Sequence, residues 1–332
     1  MQRIPILDGW RALSILLVLA GHLLPLGPHR WGLNGAVAAS GMALFFTLSG
    51  FLITQFLLHR PEVVPFLIRR LFRIVPLGWG AMIVLALASR AGAESLGANL
   101  LFVANLPPTR LLPAGEHLWS LCVEVQFYVG VALLVALGGR RALWLLPALC
   151  VAVTLTRVAQ HAPISIFTWQ RVDEILAGAT LALLHARAPR WTASLPRVLP
   201  LLLLPLLLAS GHEGAGALMY LRPYLAAATV GSSIYAAPAW LRAVFGSAPA
   251  RYVAEVSYAV YVFHAMFAAT WLGSGDTFVR YAKRPLLFAA TFAAAHLSTF
   301  RFERPMIELG KRVERRWLSA RAARTSGDRR AT

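Results

Sequence analysis

Residues 7–27, LDGWRALSILLVLAGHLLPLG, form an apolar run long enough to cross a lipid bilayer as one helix. Such runs recur along the 332 residues, at 7–27, 36–58, 74–90, 117–138, 142–157, 170–186, 198–210, 219–238, 253–272 and 285–302. The chain is 58% apolar and only 14% charged, whereas a soluble domain carries about 25% charged residues. The sequence therefore predicts an all-α protein, a polytopic membrane helix bundle of about ten transmembrane helices.

The composition also excludes several other classes of protein. A mean hydropathy of +0.62 excludes disorder, collagen and coiled coil. The only two cysteines, Cys122 and Cys150, lie inside apolar runs without metal or CxxC spacing, so we expect them to pack as small core residues. The apolar stretch 96–106 is too short to cross a bilayer and precedes Pro107-Pro108, so we expect a re-entrant or interfacial piece.

The distribution of positive charge predicts the topology. The net charge is +18, and the cations lie in short segments between apolar runs, which is typical of membrane topology and lipid contact and not of nucleic-acid binding. With a cytoplasmic N-terminus, twenty-two Lys and Arg fall inside and nine outside. We therefore expect a multi-pass protein of the inner (cytoplasmic) membrane, with both termini cytoplasmic. Residues 1–306 would form the membrane domain, and 307–332 a basic, largely disordered cytoplasmic tail that contacts lipid.

Two polar residues inside the first run are candidates for function. Arg11 and His22 are eleven residues apart, which is about 3.06 helical turns and a rise of about 16.5 Å. Both side chains therefore lie on nearly the same face of one helix, and ionisable groups inside a membrane span are functional candidates. The alternatives are that Arg11 reaches the inner interface and that His22 bonds a backbone carbonyl.

Three arginines follow the second run. Arg69, Arg70 and Arg73 are predicted to share one face of a short helix at the inner side of the membrane. Guanidinium groups match phosphate oxygens well, so the cluster predicts a site for a phosphorylated ligand. The alternative is a topology signal without a ligand. Before them, Ser49 and the neighbouring Gly50 are small enough to permit close helix approach.

A polar stripe marks the fourth run. Ser120, Glu124 and Tyr128 repeat at intervals of four residues along an otherwise apolar helix. The predicted topology places Glu124 at the depth of His22, so the two are a plausible base and orienting carboxylate. The alternative is a polar helix-packing cluster. Further candidates for contacting substrate or stabilising an oxyanion are Ser49, Trp119, Ser120, Tyr258, Tyr261, His264, Arg171 and Asp173. No residue pattern predicts a metal site.

Taken in order, these segments resemble the acyltransferase-3 family of integral membrane acyltransferases, over residues 6–306. Arg11 and His22 match the family's R-x10-H motif. The other matching segments are FFTLSGFLI at 45–53, RRLFRIVP at 69–76, WSL at 119–121 with Glu124, SYAVYVFH at 257–264 and FERP at 302–305.

The resemblance implies an enzyme that moves an acyl group, most often acetyl, from acetyl-CoA to a hydroxyl of a carbohydrate, glycolipid or other extracytoplasmic acceptor. It implies that His22 and Arg11 are essential and that Arg69, Arg70 and Arg73 serve the CoA. From the residues themselves we expect Arg11 to lie beside the bound CoA and Glu124 to set the tautomer of His22. Acyl-CoA would be a substrate, and no cofactor would be permanently bound. The chain lacks the esterase-like domain fused to some members, so we expect the membrane part to complete the transfer.

Two other functions fit the same residues. A transporter or flippase could use intramembrane Arg, His and Glu as a proton relay without acyl chemistry. Within the enzymes, the acceptor could be a small hydrophobic alcohol such as a macrolide sugar.

Overall fold

The computed structural model describes residues 3–187 and 190–331, which contain helices and connecting segments and no strand. The α-helices are α1 Ile6–Leu23, α2 Leu33–His59, α3 Val63–Ser89, α4 Ala93–Leu100, α5 Trp119–Gly138, α6 Leu146–Ala159, α7 Thr168–Arg171, α8 Asp173–Arg187, α9 Leu199–Ser210, α10 Arg222–Ala236, α11 Ala239–Phe245, α12 Ala248–Ala268, α13 Thr277–Ala282, α14 Arg284–Leu297 and α15 Arg304–Ala331. A π-helical turn, Ser298–Glu303, joins α14 to α15.

Within the described residues, five helical stretches are long and apolar enough to cross a membrane: Ile6–Leu23, Leu33–His59, Val63–Ser89, Glu116–Gly138 and Arg140–Ala159. The other predicted spans coincide with α8, α9, α10, α12 and α14, which are shorter or less apolar. The all-α class and a membrane helix bundle are thus confirmed, while the number of spans and the side of the termini stay predictions.

The outer surface of the bundle carries large apolar side chains. Leu87, Leu101 and Leu137 are 74%, 73% and 89% exposed. In water such a surface would be unfavourable, whereas lipid chains cover it at no cost. The two cysteines are buried, as the sequence predicts.

Glycines let α2 and α8 cross closely near the centre of the bundle. A Cβ atom on Gly50 would overlap the backbone of Ile175, and one on Gly178 would overlap the backbone of Thr47. The prediction that a small residue at position 50 permits close approach is confirmed. Ser49 does not serve this crossing, because its hydroxyl faces Glu124.

The bundle has two ends, which we call the near end and the far end. The near end holds the first turns of α1 and α12, where Asp8 and Arg251 line one cavity. The far end holds the last turns of both helices, where His22 and His264 are hydrogen bonded. Helices α1 and α12 therefore run parallel and in contact.

The C-terminal segment is a helix packed on α3 at the near end. Gly310 abuts the ring of Phe72, and Glu314 is 2% exposed and pairs with Arg69 over 2.5 Å. These contacts hold the part of α15 around Gly310 and Glu314 on α3. The largely disordered basic tail at 307–332 stays a prediction. The domain boundary after residue 306 stays a prediction.

The stretch predicted as re-entrant or interfacial contains α4 and a loop. Asn99 donates to the carbonyl of Arg110 over 2.7 Å, and Gln126 of α5 donates to the carbonyl of Phe102 over 2.7 Å. These side chains satisfy backbone groups in a segment without regular structure.

Candidate active site

Two histidines meet at the far end of α1 and α12. His22 Nδ1 lies 2.9 Å from His264 Nε2, and His264 Nδ1 lies 2.6 Å from the carbonyl oxygen of Tyr261. The two imidazole rings are nearly parallel, with centroids 5.2 Å apart. His264 is fully buried, whereas His22 is exposed at the far end.

This chain of hydrogen bonds fixes the tautomers of both rings. A carbonyl only accepts, so His264 Nδ1 carries a hydrogen, and the buried neutral ring must accept at Nε2. His22 Nδ1 is then the donor. Nε2 of His22 is left with a free lone pair on an exposed ring, which is the arrangement that a general base or a nucleophile requires.

Glu124 does not contact His22, contrary to the expectation that it orients this ring. It accepts hydrogen bonds from Ser49 and from Tyr128, the latter over 2.5 Å. Two side chains at the same depth in the bilayer need not face each other. The side chain of Glu124 on α5 faces Ser49 on α2 and not His22 on α1. The hydrogen-bond partner that orients His22 is His264, which the sequence analysis takes as a substrate contact.

A small cavity of about 20 Å³ lies beside Glu124, large enough for about one water molecule. Arg11, Arg70 and Arg73 line it, so three guanidinium groups surround one carboxylate. The Nε of Arg11 is buried without an acceptor among the described residues. Arg11 and Glu124 are therefore neighbours, whereas the predicted topology placed Glu124 at the depth of His22. Their catalytic roles stay predictions.

Two aromatic rings separate this polar cluster from the histidines. The Arg11 guanidinium lies 6.0 Å from the centre of the Phe45 ring, and Phe45 stacks on Tyr261 at 6.2 Å. The Tyr261 ring is 5.7 Å from that of His264. Side-chain contacts through Phe45, Tyr261 and His264 thus join Arg11 to His22.

The near end contains an open cavity of about 570 Å³ beneath Arg11. Its polar lining has five arginines and three acids: Arg3, Arg11, Arg73, Arg251, Arg304, Asp8, Glu255 and Glu303. The formal charge of +2 suits an anionic ligand. Within residues 3–187 and 190–331, no group of three or more His, Cys, Asp or Glu side chains could hold a metal ion.

The three arginines predicted to act together lie on the long helix α3 and point to different partners. Arg69 pairs with Glu314, Arg70 lies over the Tyr128 ring at 5.8 Å, and Arg73 lines the near-end cavity. The short helix predicted for them is wrong, since α3 has 27 residues. Arg69 and Arg73 share a helix face, but Arg69 is paired with Glu314, and the binding of CoA by the three arginines stays a prediction. Only Arg70 and Arg73 share a cavity.

The predicted oxyanion donors already have acceptors within the protein. Tyr261 donates to the carbonyl of His117 and lies 2.6 Å from the hydroxyl of Ser120, and Tyr258 donates to the carbonyl of Ile74 over 2.7 Å. These hydroxyl groups would have to exchange partners to contact a substrate. Their predicted role stays a prediction.

Arg171 and Asp173 belong to a buried ion network, not to the histidine cluster. Asp173 pairs with Arg157 over 2.5 Å, and Glu174 lies 2.7 Å from Arg222 and 3.1 Å from Arg171. All five side chains are at most 4% exposed. The network ties α6, α7, α8 and α10 together.

Trp119 lies between this network and the core. Its ring is 5.4 Å from the Arg171 guanidinium and packs edge-on against Phe46 at 5.9 Å. Contact of Trp119 or Arg171 with a substrate stays a prediction.

Several residues of the site were missed from the sequence. His117, 9% exposed, places its ring 4.9 Å from that of His264. Arg251 and Glu255 precede Tyr258 by seven and three residues, and all three line the near-end cavity. This helical spacing could have revealed them, because it places Arg251 and Glu255 on the face of α12 that carries Tyr258.

A comparison with protein families identifies the chain. The model of the acyltransferase-3 family, described as "Acyltransferase domain", matches residues 4–300. The chain belongs to this acyltransferase family. The resemblance drawn from the motifs is confirmed, and with it the prediction that the chain is an acyltransferase.

Curated relatives of this acyltransferase are similar over part of their length. "Peptidoglycan O-acetyltransferase OatA" of Listeria monocytogenes is 30% identical over 150 residues, which cover 38% of this chain and 23% of OatA. "Putative peptidoglycan O-acetyltransferase YrhL" of Bacillus subtilis is 27% identical over 221 residues, covering 54% of this chain and 33% of YrhL. The matches thus span a quarter to a third of these relatives. No solved structure matches the chain.

Proposed function

We propose that this acyltransferase moves an acetyl group from acetyl-CoA to a carbohydrate hydroxyl, with a peptidoglycan sugar as the first candidate, across the cytoplasmic membrane. The observation that carries the proposal is the separation of two functional ends in one bundle. A cationic cavity opens at the near end, and an imidazole with a free Nε2 is exposed at the far end. The relatives' names support the acceptor class.

The donor enters from the near end, which is the cytoplasmic side in the predicted topology. Its phosphates bind the arginines of the cavity, and the thin pantetheine arm extends past Arg11 toward Phe45. The small cavity beside Glu124 holds only about one water molecule, so the Phe45 ring must move for the arm to reach His22. The rings of Phe45 and Tyr261 thus close the path between the near end and His22 when no donor is bound, which keeps water out of it.

The acceptor hydroxyl approaches His22 from the far end. Nε2 of His22 takes the hydroxyl proton while the oxygen attacks the thioester carbonyl carbon. The carbon–sulfur bond then breaks, and the sulfur leaves as a thiol with the proton from Nε2. The products are an ester and free CoA, and His22 returns to its starting state.

A second route gives the same products, an ester and free CoA. Nε2 attacks the thioester carbonyl carbon and the carbon–sulfur bond breaks, which releases CoA as the thiolate and leaves an acyl-imidazolium. The acceptor oxygen then attacks the acyl carbon, the carbon–nitrogen bond breaks, and the hydroxyl proton passes to the thiolate, so that neutral His22 is restored. Donor alone, followed by rapid quenching, would leave an acyl adduct on His22 by this route and none by direct transfer.

In either route Glu124 and Arg11 lie on the near-end side of the reacting atoms and do not contact them. The Glu124 carboxylate offsets the charge of Arg11, Arg70 and Arg73 around the small cavity. Ser49 and Tyr128 hold the carboxylate in place. The fixed carboxylate and the guanidinium groups around it thus define the path along which the pantetheine arm enters.

The test uses purified protein in lipid nanodiscs with acetyl-CoA and soluble peptidoglycan glycan fragments. We expect more than one equivalent of free CoA thiol per enzyme only with acceptor present, matched by acetyl ester on the glycan. Thiol release without ester, or neither product, would contradict the proposed transfer. Ester on a small hydrophobic alcohol in place of the glycan would contradict the acceptor class.

We predict that Arg73→Ala weakens acetyl-CoA binding about 10- to 100-fold, because a hydrogen bond to a charged group contributes about 1.5–3 kcal/mol. Arg60→Ala is the matched control. Its side chain is exposed and does not line the cavity, so we expect donor affinity within about twofold of the wild type. Titration of each variant with CoA measures both values. Equal losses of donor affinity in the two variants would contradict a specific role of Arg73 in binding the donor.

A further inference from the structure

We propose that the first turn of α12 forms a nucleotide subsite in the near-end cavity, in which Arg251 and Arg73 bind phosphate and Tyr252 stacks on the base. This inference rests on the proposed function, because it takes CoA as the donor. CoA joins an adenine nucleotide to the pantetheine arm, so its recognition needs cations and an aromatic surface at the cavity mouth.

The arginines of the cavity fall into two groups. Arg3 pairs with Asp8 over 2.7 Å, and Arg304 pairs with Glu255 over 2.5 Å. Arg251 is exposed and Arg73 half-buried, and neither has a hydrogen-bond or ion-pair partner in the described part of the chain. These two guanidiniums are therefore available to an incoming phosphate.

The position of Arg251 is unfavourable without an anion. It is the fourth residue of α12, a helix of 21 residues whose N-terminus carries a partial positive charge. Ser247 accepts a hydrogen bond from the amide of Ala250, and Ala248 lines the cavity. A phosphate bound here would contact the guanidinium and offset the charge of the helix end as well.

Tyr252 supplies the aromatic surface next to this cation. Its side chain lines the cavity and is 37% exposed. Its hydroxyl lies 3.3 Å from His296 Nδ1, and the two rings are 6.0 Å apart, so a neighbour on α14 holds the ring in place. A fixed, exposed ring binds any base by its flat face, typically with about 1–3 kcal/mol per base.

Tyr258 connects this subsite with the small cavity beside Glu124. Tyr258 lies two turns beyond Arg251, about 10 Å along the axis, and lines both the near-end cavity and the small cavity beside Glu124. Base and phosphates at Tyr252 and Arg251 would thus direct the arm toward Tyr258 and Arg11. No assigned motif of the sequence includes Arg251 or Tyr252.

The test measures binding of CoA, of 3′-dephospho-CoA and of pantetheine to the full-length protein in nanodiscs. We expect Arg251→Ala to weaken CoA binding about 10- to 100-fold and Tyr252→Ala about tenfold, with Tyr252→Phe close to the wild type. Neither alanine variant should change pantetheine binding. Arg312→Ala, an exposed arginine of α15 outside the cavity, is the matched control.

The outcomes separate this inference from the proposed function. If the wild type binds CoA and Arg251→Ala and Tyr252→Ala bind it equally well, the subsite is wrong while the proposed function stands. If the wild type releases no thiol from acetyl-CoA with any acceptor, the proposed function fails first. A loss that is equal for pantetheine would show a general disturbance of the cavity and overturn the subsite.

Discussion

Replacing His22 with alanine is expected to lower kcat by about 10³-fold or more while leaving acetyl-CoA affinity within about twofold of the wild type. The variant removes the exposed Nε2 that takes the acceptor proton, and general base catalysis typically contributes about 10²- to 10⁴-fold. Donor affinity is maintained because the phosphates bind at the other end of the bundle. Acetyl ester formation and CoA titration measure the two quantities.

His29→Ala is the matched control for this substitution. His29 is also exposed and lies in the 3-10 turn that follows α1, but it is not part of the histidine cluster. We expect its activity to equal that of the wild type. Full activity of His22→Ala, or a parallel loss of donor binding, would contradict the role given to His22.

The second large effect is expected at His264, which positions His22. His264→Ala removes the acceptor for the Nδ1 hydrogen of His22, so the ring can adopt the other tautomer and rotate. We expect kcat to fall about 10- to 100-fold with little change in the KM for acetyl-CoA. The ¹⁵N spectrum of His22 should change from the single Nδ1–H tautomer to a mixture.

His264→Gln separates positioning from a merely structural role. The amide oxygen of glutamine can accept the same hydrogen bond near the place of Nε2, so this variant should recover most of the lost rate and the single tautomer. Equal rates for His264→Ala and His264→Gln, with an unchanged His22 spectrum, would contradict the positioning role.

Most of the fold follows from the sequence because a bilayer imposes a minimum apolar length on each span. Every predicted apolar run contains a helix, from Ile6–Leu23 to Arg284–Leu297. Helix α15 lies outside these runs. Its basic composition indicates a solvated segment, whereas its Glu314 pairs with Arg69 of α3, a long-range contact that no local pattern reveals.

The candidate site was predictable where one helix carries it. Helical periodicity places Arg11 and His22 on one face of α1, at opposite ends. The partners of His22 depend on the packing of α12 against α1, so the pairing with His264 and the distance from Glu124 could not be predicted. Adjacency in sequence likewise suggested one arginine cluster, although Arg69 and Arg73 contact different parts of the molecule.

The central claim is that an acyl group bound at the Arg11 end is transferred at the His22 end. Proteoliposomes of uniform orientation test it directly, with radiolabelled acetyl-CoA and glycan fragments each confined to one side. We predict labelled ester only when acetyl-CoA is on the side of the near-end cavity and the glycan is on the side of His22. Ester formation only when acetyl-CoA and glycan are on the same side would contradict acyl transfer across the bilayer.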